Sequence, residues 1–333
     1  MKAICYNNTK TTLPNWNPND HLEQHCPMGY AYEIGNCFIH IYGSVNDLYT
    51  ISPGITVLGK RKEGETLRQW VIEHFGAVNI QDMVTDIGEV RTASWRPGLY
   101  TYDELQQALQ YNAFDIEDEL QALLLLFHKL SDIFQCVEPV NENLKTYGHK
   151  FRELLILSCT EFENQSRRIL SKWKYSCRGR DYTTQDYVVL KDKCFLSEYE
   201  IGFKAYPDLK VFTPFSGWDK QKPTQSIDWY DSYNKAKHDR INNFNYASLE
   251  AVLNSIAANI ILFCVRFGPY PLVNINSILS SYINQYIRIR LVNPNVTTFY
   301  VPLLEIKTDI PNELVYFDSY ENHWNKAWQH MKI

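Results

Sequence analysis

The sequence lacks the short motifs that most directly assign a chemistry. It contains no Gly-x-x-x-x-Gly-Lys-Ser/Thr loop, no Gly-x-Gly-x-x-Gly motif and no Gly-x-Ser-x-Gly elbow. These motifs bind phosphates, bind dinucleotides and carry hydrolase nucleophiles, respectively. The eight cysteines form no Cys-x-x-Cys pair, so reduced thiols in a cytoplasmic protein are the simplest interpretation. Nothing in these patterns predicts a cofactor.

The sequence also lacks a basic excess and a long uninterrupted apolar run. Its net charge of −5 argues against a protein that coats nucleic acid indiscriminately, so any nucleic-acid site must be local. The N-terminus shows no run typical of a signal peptide. The stretch Ala251 to Val265 is interrupted by Asn254 and Asn259 and is shorter than the roughly 20 residues that cross a membrane. We therefore expect a cytoplasmic protein with no membrane contact and a buried core helix at this stretch.

The 333 residues are long enough for two domains or one domain with an extension. We predict a small α+β module over residues 1–100, a helical domain over 101–268 with an extended insertion near 195–216, and a mixed C-terminal extension over 269–333. In the first module, Pro53-Gly54 predicts a hairpin turn. Thr66 and Gly76 are expected to bound a helix.

Hydrophobic spacing predicts the helices of the middle region. Two helices, or one broken helix, are expected over 102–137, and a long helix from about 144 to about 173. A short helix is expected over 184–191, and another from Ser248 to Phe267, ended by Gly268. The stretches 199–206 and 209–215 are expected to be extended or to form a hairpin.

One polar, aromatic and basic segment, Trp229 to Arg240, carries residue types suited to catalysis. If the segment is helical, Asn234, Lys235 and His238 share one face, because residues three and four apart are neighbours on a helix. An amide, an amine and an imidazole in that arrangement are suited to binding a phosphate or an RNA.

The helix His149 to Glu163 and the later Tyr233-Asn234-Lys235-Ala236-Lys237-His238 together resemble the HEPN superfamily, over roughly residues 101–268. The resemblance implies a mainly α fold with α+β additions, in which an antiparallel HEPN-like helical bundle follows the small mixed module. It also implies a metal-independent ribonuclease of toxin or antiviral systems, commonly a homodimer, or a non-catalytic relative. The HEPN motif places an arginine four to six residues before the histidine, where this chain has Asp231, Ser232 and Tyr233.

The resemblance assigns His238 as the acid–base group, with Asn234 beside it. Lys235 is the first candidate for the missing cation, and Lys237 and Arg240 are candidates to bind phosphate. An acid on an earlier helix often faces the motif in this family, so Glu161 or Glu163 is the expected partner, with Glu161 as the catalytic candidate. The alternative for every one of these residues is a structural role in packing or on a solvated helix face.

A second basic stretch contains six cations without an acid and with Trp173 and Tyr175 between them. These cations are Arg167, Arg168, Lys172, Lys174, Arg178 and Arg180. Cations that hold phosphates and aromatics that stack on bases are typical of single-stranded RNA surfaces. A helix C-terminus enriched in basic residues has the same composition, because cations stabilise the negative end of the helix dipole.

His21, His25 and Cys26 have partial metal-ligand character, but the Asn-rich surroundings do not predict a helix and no further ligand is apparent. We therefore predict no metal. Two functions remain open from the sequence. One is a HEPN-like RNA-directed effector, and the other is a non-catalytic interaction or regulatory module that binds a protein partner or a nucleotide.

Overall fold

The structure is a computed structural model that describes residues 2–10, 27–99, 101–273, 277–306, 315–317 and 324–331. The chain divides into two compact units. The first contains residues 1–91, 96–101 and 294–332, and the second contains residues 92–95 and 102–293. The C-terminal region is therefore shared between the two units.

Twelve strands and eleven α-helices are described. The strands are β1 (Lys2–Asn7), β2 (Met28–Ile34), β3 (Cys37–Ser44), β4 (Thr50–Lys60), β5 (Val78–Asp86), β6 (Glu89–Val90), β7 (Tyr199–Phe203), β8 (Ile287–Leu291), β9 (Leu303–Ile306), β10 (Val315–Phe317), β11 (Trp324–Ala327) and β12 (Gln329–His330). The helices are α1 (Leu67–Phe75), α2 (Tyr102–Leu109), α3 (Ala113–Phe134), α4 (His149–Lys172), α5 (Thr184–Tyr187), α6 (Val189–Lys193), α7 (Asp228–His238), α8 (Arg240–Asn243), α9 (Leu249–Phe267), α10 (Tyr270–Val273) and α11 (Ile278–Tyr286).

The first unit is built on a six-stranded sheet with the strand order β10-β4-β3-β2-β1-β5. Every neighbouring pair in this sheet is antiparallel. One face packs against Phe299, Val301 and Leu304, and the other face packs against α1. Because both faces are covered, the central strands are apolar on both sides and do not alternate with polar residues.

The predicted hairpin at Pro53-Gly54 is wrong, because both residues lie inside the single strand β4. The pairing with β3 shifts at this point: Tyr42 is opposite Ser52, whereas the preceding Ile41 is opposite Thr56. A bulge of this kind accommodates proline, which has no amide hydrogen to donate to a neighbouring strand.

Helix α1 confirms the prediction over Thr66 to Gly76. The Thr66 side chain and Gln69 form a capping box at its start, and Gly76 ends it in the left-handed conformation with φ 57°. Both signals act within one turn, and for this reason they are readable from sequence.

In the second unit, α4 packs against α9, α3 and α7. A polar seam joins α4 to α9, in which Ser158 Oγ lies 2.6 Å from Ser255 Oγ and Gln165 Nε2 donates to Asn259 Oδ1 at 3.0 Å. Asn259 Nδ2 also donates to the carbonyl oxygen of Ser158 at 2.8 Å. These four side chains are fully buried. The network satisfies most of their polar groups, which would otherwise be costly inside a core, and leaves Gln165 Oε1 without a hydrogen-bond partner among the described residues.

Helix α9 is the core helix that the sequence predicts, with Ser248 as its N-cap and Gly268 as its C-cap. Within the described chain it alone is long and apolar enough to cross a membrane, and 89% of its most apolar window is buried inside the protein. This burial is typical of the core helix of a soluble protein.

The insertion near 195–216 pairs differently from the sequence prediction. Strand β7 forms its ladder with β8, 88 residues further along the chain, and joins the stretch 209–215 only through an isolated bridge between Ile201 and Phe212. The partner of β7 is therefore a long-range one.

The prediction of a mainly α fold built on an antiparallel HEPN-like helical bundle is wrong. The chain is 46% helical and 21% strand, with a large curled antiparallel sheet. The error arose because strands buried on both faces lack the alternation that marks a strand in sequence, and because their partners are distant in the chain. The protein is an α+β protein.

Candidate functional site

Helix α7 covers most of the polar segment Trp229 to Arg240. Its inner face consists of Trp229, Tyr230, Tyr233 and Ala236, all of them buried. The ring of Phe162 on α4 lies edge-on to Trp229 at a centroid distance of 5.1 Å. Aromatic packing of this kind fixes the rotation of α7 about its axis, and therefore which of its polar side chains face outward.

His238 is the last residue of α7, and its side chain is exposed. It has no hydrogen bond or ring contact with any residue that the structure describes. The neighbouring Lys237 is also exposed, and its Nζ donates to the Tyr233 hydroxyl at 2.9 Å. This hydrogen bond raises the pKa of Lys237, so its ammonium stays charged at neutral pH.

Asn234 and Lys235 turn back towards the preceding turn of the helix. Asn234 Nδ2 donates to the carbonyl oxygen of Tyr230 at 3.1 Å. Lys235 Nζ lies 2.6 Å from Asp231 Oδ2 and 4.4 Å from the centre of the Tyr246 ring. The hydrogen bond to Asp231 raises the pKa of Lys235. Both groups thus have partners within the protein, and the side chain of Arg240 lies outside the described residues.

A guanidinium from another helix contacts the end of α7. Arg152, in the first turn of α4, donates from Nε to the carbonyl oxygen of Ala236 at 2.9 Å. Arg152 lies in the helix that carries the resemblance, but the sequence predicts no role for it. No local signal connects residues 152 and 236, so only the fold brings them together.

Three aromatic rings surround the junction of α4 and α7. Phe244 packs against His149 and Tyr147, at centroid distances of 4.8 and 5.7 Å. Tyr147 is 52% exposed and Tyr246 38% exposed. We call this surface the α4–α7 corner. It comprises Tyr147, His149, Lys150, Arg152, Lys235, Lys237, His238, Phe244 and Tyr246.

Glu161 and Glu163, the two acids that the sequence predicts as partners of the motif, face different helices. Glu163 Oε1 accepts from the Tyr230 hydroxyl of α7 at 2.6 Å. Glu161 faces Glu119 of α3 and Arg168, and burial, followed by the Glu119 charge, raises the pKa of Glu161 to about 7. Of the two, Glu163 is the acid in contact with the marked helix, although Tyr230 separates it from the exposed end.

Glu119 itself is at the centre of a buried ion cluster. Its carboxylate pairs with Arg266 and with Arg168, the latter at 3.2 Å. No described group donates a hydrogen bond to its Oε2. The Glu161 carboxyl lies close enough to Glu119 to form a hydrogen bond with it. A proton on Glu161 would satisfy this oxygen, because only a protonated carboxyl can donate.

The second basic stretch begins near the opposite end of α4, where Arg167 lies about 22 Å from Arg152 along the helix at 1.5 Å per residue. Arg168 pairs with Asp118 at 2.8 Å, and Lys172 donates to the carbonyl oxygen of Gln110 at 3.0 Å. Trp173 is buried, and its Nε1 donates to the carbonyl oxygen of Thr92. Its ring is therefore not accessible for stacking on a base. The remaining cations of the stretch, Arg167, Lys174, Arg178 and Arg180, are exposed.

Metal-ligand types converge once in the described chain, in the first unit. Ligand atoms of Glu65, Glu73 and His74 lie within 4.8 Å of one another. Glu65 Oε2 already accepts from the backbone amide of Lys62 at 3.0 Å, and exposed carboxylates commonly form such groups. His21, His25 and Cys26 lie outside the described residues.

No disulfide joins the described cysteines, which are Cys5, Cys37, Cys136, Cys159, Cys177, Cys194 and Cys264. Burial raises the pKa of Cys5 to about 11 and also raises that of Cys159. These two thiols are therefore protonated and unreactive at neutral pH.

Comparisons of the chain with protein-family models, with curated proteins and with solved structures find no match.

Proposed function

We propose that the protein binds single-stranded RNA at the α4–α7 corner and cleaves it without a metal ion, with His238 as the acid–base group. The observation that carries the proposal is the 2.9 Å hydrogen bond from Arg152 Nε to the carbonyl oxygen of Ala236. It brings a guanidinium to the last turn of α7. The basic side chains that α7 itself has in this turn are Lys235, Lys237 and His238.

The electrostatics of the corner favour an anion. The carbonyl groups at the end of a helix carry partial negative charge, and Arg152 covers one of them. The first turn of α4 offers backbone amides, since Gly148 provides no side-chain cap, and helix N-termini attract phosphate. Lys150 and Lys237 add two exposed positive charges.

The exposed rings of the corner suit unpaired bases. Tyr147 and Tyr246 are accessible at its edge, and base stacking on aromatic rings contributes about 1–3 kcal/mol per base in single-strand complexes. Cations and accessible rings occur together here, whereas in the stretch after Arg167 the tryptophan is buried. The corner is therefore the better candidate for the RNA surface.

The proposed reaction uses the RNA's own 2′-hydroxyl. The 2′-oxygen attacks the adjacent phosphorus, the bond to the 5′-oxygen breaks, and the products are a 2′,3′-cyclic phosphate and a 5′-hydroxyl. His238 takes the proton of the 2′-hydroxyl and delivers it to the departing 5′-oxygen, a task worth roughly 10²- to 10⁴-fold in rate. Arg152, with two planar Nη donors beyond its Nε bond, stabilises the charged phosphorane better than a lysine does.

The setting of this activity is also part of the proposal. We place it in the cytoplasm, in keeping with the free thiols and the buried apolar helix. The HEPN resemblance suggests a homodimer and a role in a toxin or antiviral system. The fold that the resemblance implies is wrong, so this part of the proposal rests on Asn234 and His238 alone.

A second function is favoured by the internal partners of Asn234 and Lys235. Both side chains are bonded within α7, as they would be in a non-catalytic module that binds a protein partner or a nucleotide through the same surface. This alternative shares the binding surface and differs in predicting no cleavage.

Binding is tested by fluorescence anisotropy of a labelled single-stranded RNA in EDTA. Lys237→Ala and Arg152→Ala should each weaken binding about 5- to 10-fold and reduce its dependence on salt, because each removes a phosphate contact. Lys220→Ala is the matched control, since this exposed lysine of the same unit pairs with Asp192 away from the corner. Equal binding by all three variants and the wild type would overturn the proposal.

A further inference from the structure

One cavity of the second unit is lined mainly by aromatic rings. It has a volume of about 240 Å³ and lies where α3, β7 and α11 meet. We call the rings around it the aromatic cage. They are Phe134 of α3, Phe203 of β7, Tyr206 of the following turn, and Tyr282 and Tyr286 of α11. Nothing in the proposed RNA chemistry uses this cavity.

The rings of the aromatic cage meet at steep angles. Phe134 is inclined by 73° to Tyr206 and by 72° to Phe203, at centroid distances of 5.5 and 6.2 Å. Tyr282 and Tyr286 are inclined by 41° at 4.6 Å. A flat base needs two parallel faces to stack between, whereas inclined walls surround a compact, rounded group on several sides.

One acidic side chain, Glu138, lies near the phenol of Tyr206. Burial raises the pKa of Tyr206, and Glu138 and then Tyr286 add to the rise. Burial likewise raises the pKa of Tyr282, with added contributions from Tyr286 and Tyr206. The three phenol groups are therefore close to one another, and the first of them is close to a carboxylate.

Lys204 is a cation in the turn between Phe203 and Tyr206. Lys204 Nζ donates to the carbonyl oxygen of Asn284 at 2.8 Å, so its ammonium is held at the backbone of α11. Ser131 of α3 and Gln135, the residue that follows α3, complete the lining with polar groups. These can hydrogen-bond a hydroxyl or carboxylate on the remainder of a small ligand.

We propose that the aromatic cage binds a small molecule bearing a quaternary ammonium group. The electron-rich faces of aromatic rings attract a permanent cation that cannot itself donate a hydrogen bond, and this is the recognised use of such cages. Ser131 and Gln135 bind the rest of the ligand. The cavity would thus make the protein responsive to a metabolite of this chemical class.

Calorimetric titration of the whole protein with choline tests the assignment against 3,3-dimethylbutan-1-ol, in which carbon replaces the charged nitrogen. Choline should bind at least about tenfold more tightly, because only the cation gains the attraction of the ring faces. Tyr282→Leu should weaken choline binding by about the same factor, and Tyr282→Phe should keep most of it. Phe114→Leu, which changes an exposed ring on the same helix α3, is the matched control.

Equal affinity for choline and its uncharged isostere would overturn the proposal in favour of a merely apolar cavity. Loss of choline binding in Tyr282→Phe as well as in Tyr282→Leu would show that the hydroxyl and not the ring face binds the ligand. Displacement of choline by adenosine monophosphate would reassign the site to a nucleobase. Circular dichroism of each variant confirms that an altered affinity is not a failure to fold.

Discussion

Arg152 and Ala236 are 84 residues apart in sequence, and a 2.9 Å hydrogen bond joins the guanidinium of the first to the carbonyl of the second. The bond satisfies a carbonyl group near the end of α7, where the helix has no further amide to donate to it. It also holds the first turn of α4 against the last turn of α7. The same side chain therefore stabilises the corner and supplies its planar cation.

Replacing Arg152 should destabilise the protein modestly. Arg152→Ala should lower the free energy of unfolding by about 1–2 kcal/mol, because a charge-assisted bond to a half-buried carbonyl is lost. Urea unfolding followed by circular dichroism measures the change. Lys150→Ala, at an exposed residue of the same turn, should change stability by less than about 0.5 kcal/mol, and an equal effect of both substitutions would show that the bond has no special role.

The polar seam between α4 and α9 should be sensitive to Asn259. Asn259→Ala should cost about 2–4 kcal/mol, because it leaves the buried Gln165 amide and the Ser158 carbonyl without their partner. The midpoint of urea unfolding reports the loss. Asn254→Ala is the internal control, since Asn254 Nδ2 donates only to the preceding turn of its own helix and should cost about 0.5 kcal/mol. Similar losses of unfolding free energy in Asn259→Ala and Asn254→Ala would contradict a stabilising role of the polar seam.

The protonation of Glu161 should be visible in the pH dependence of stability. Its pKa is raised from 4.5 to about 7, so between these values the folded state holds a proton that the unfolded state has lost. This contribution to stability is present below pH 4.5 and is lost as the pH rises through about 7.

Glu161→Gln should remove this dependence, because an amide donates to Glu119 at every pH. The difference between the wild type and the variant should change by about 1 kcal/mol from pH 4.5 to 7.5, a value reduced for solvent screening of a partly exposed carboxyl. Glu153→Gln, at an exposed acid of the same helix, is the control. A difference that stays constant with pH would mean that Glu161 is ionised throughout.

In the first unit, Gly98 should tolerate no side chain. Its φ is +118°, and a Cβ there would lie 1.9 Å from the carbonyl oxygen of Tyr300. Gly98→Ala should cost about 3 kcal/mol or more, because it combines a disfavoured backbone conformation with a clash against backbone. Gly35→Ala, with φ +58° and open space around it, should cost only about 1 kcal/mol. Thermal unfolding distinguishes the two variants, and equal melting temperatures would refute the clash.

The parts of the fold that could be predicted from sequence are those set by local chemistry. Thr66 and Gly76 bound α1, and Ser248 and Gly268 bound α9, because caps act within one turn. The bulge at Pro53 and the pairing of β7 with β8 depend on strands distant in sequence, and no local pattern specifies them. The apolar run that contains Asn259 was correctly predicted to be a buried helix. The hydrogen-bond partners of Asn259 on α4 could not be predicted.

The candidate site shows the same limit. The sequence located α7, its exposed histidine and the absence of an arginine from the expected position. It could not show that Asn234 and Lys235 bond within their own helix, nor that Glu161 faces α3 while Glu163 faces α7. Arg152 was missed because its contact with α7 arises only when the two helices pack.

Single-turnover cleavage of a labelled RNA in EDTA tests the central claim most directly. The wild type should generate fragments ending in a 2′,3′-cyclic phosphate, identified by mass spectrometry. His238→Ala should slow the reaction by roughly 10²-fold or more without lowering the melting temperature, because His238 is exposed and contacts no described residue. His128→Ala, at an exposed histidine of α3, should cleave like the wild type. Equal cleavage by the wild type and His238→Ala, or no cleavage by any of the three proteins, would contradict the account.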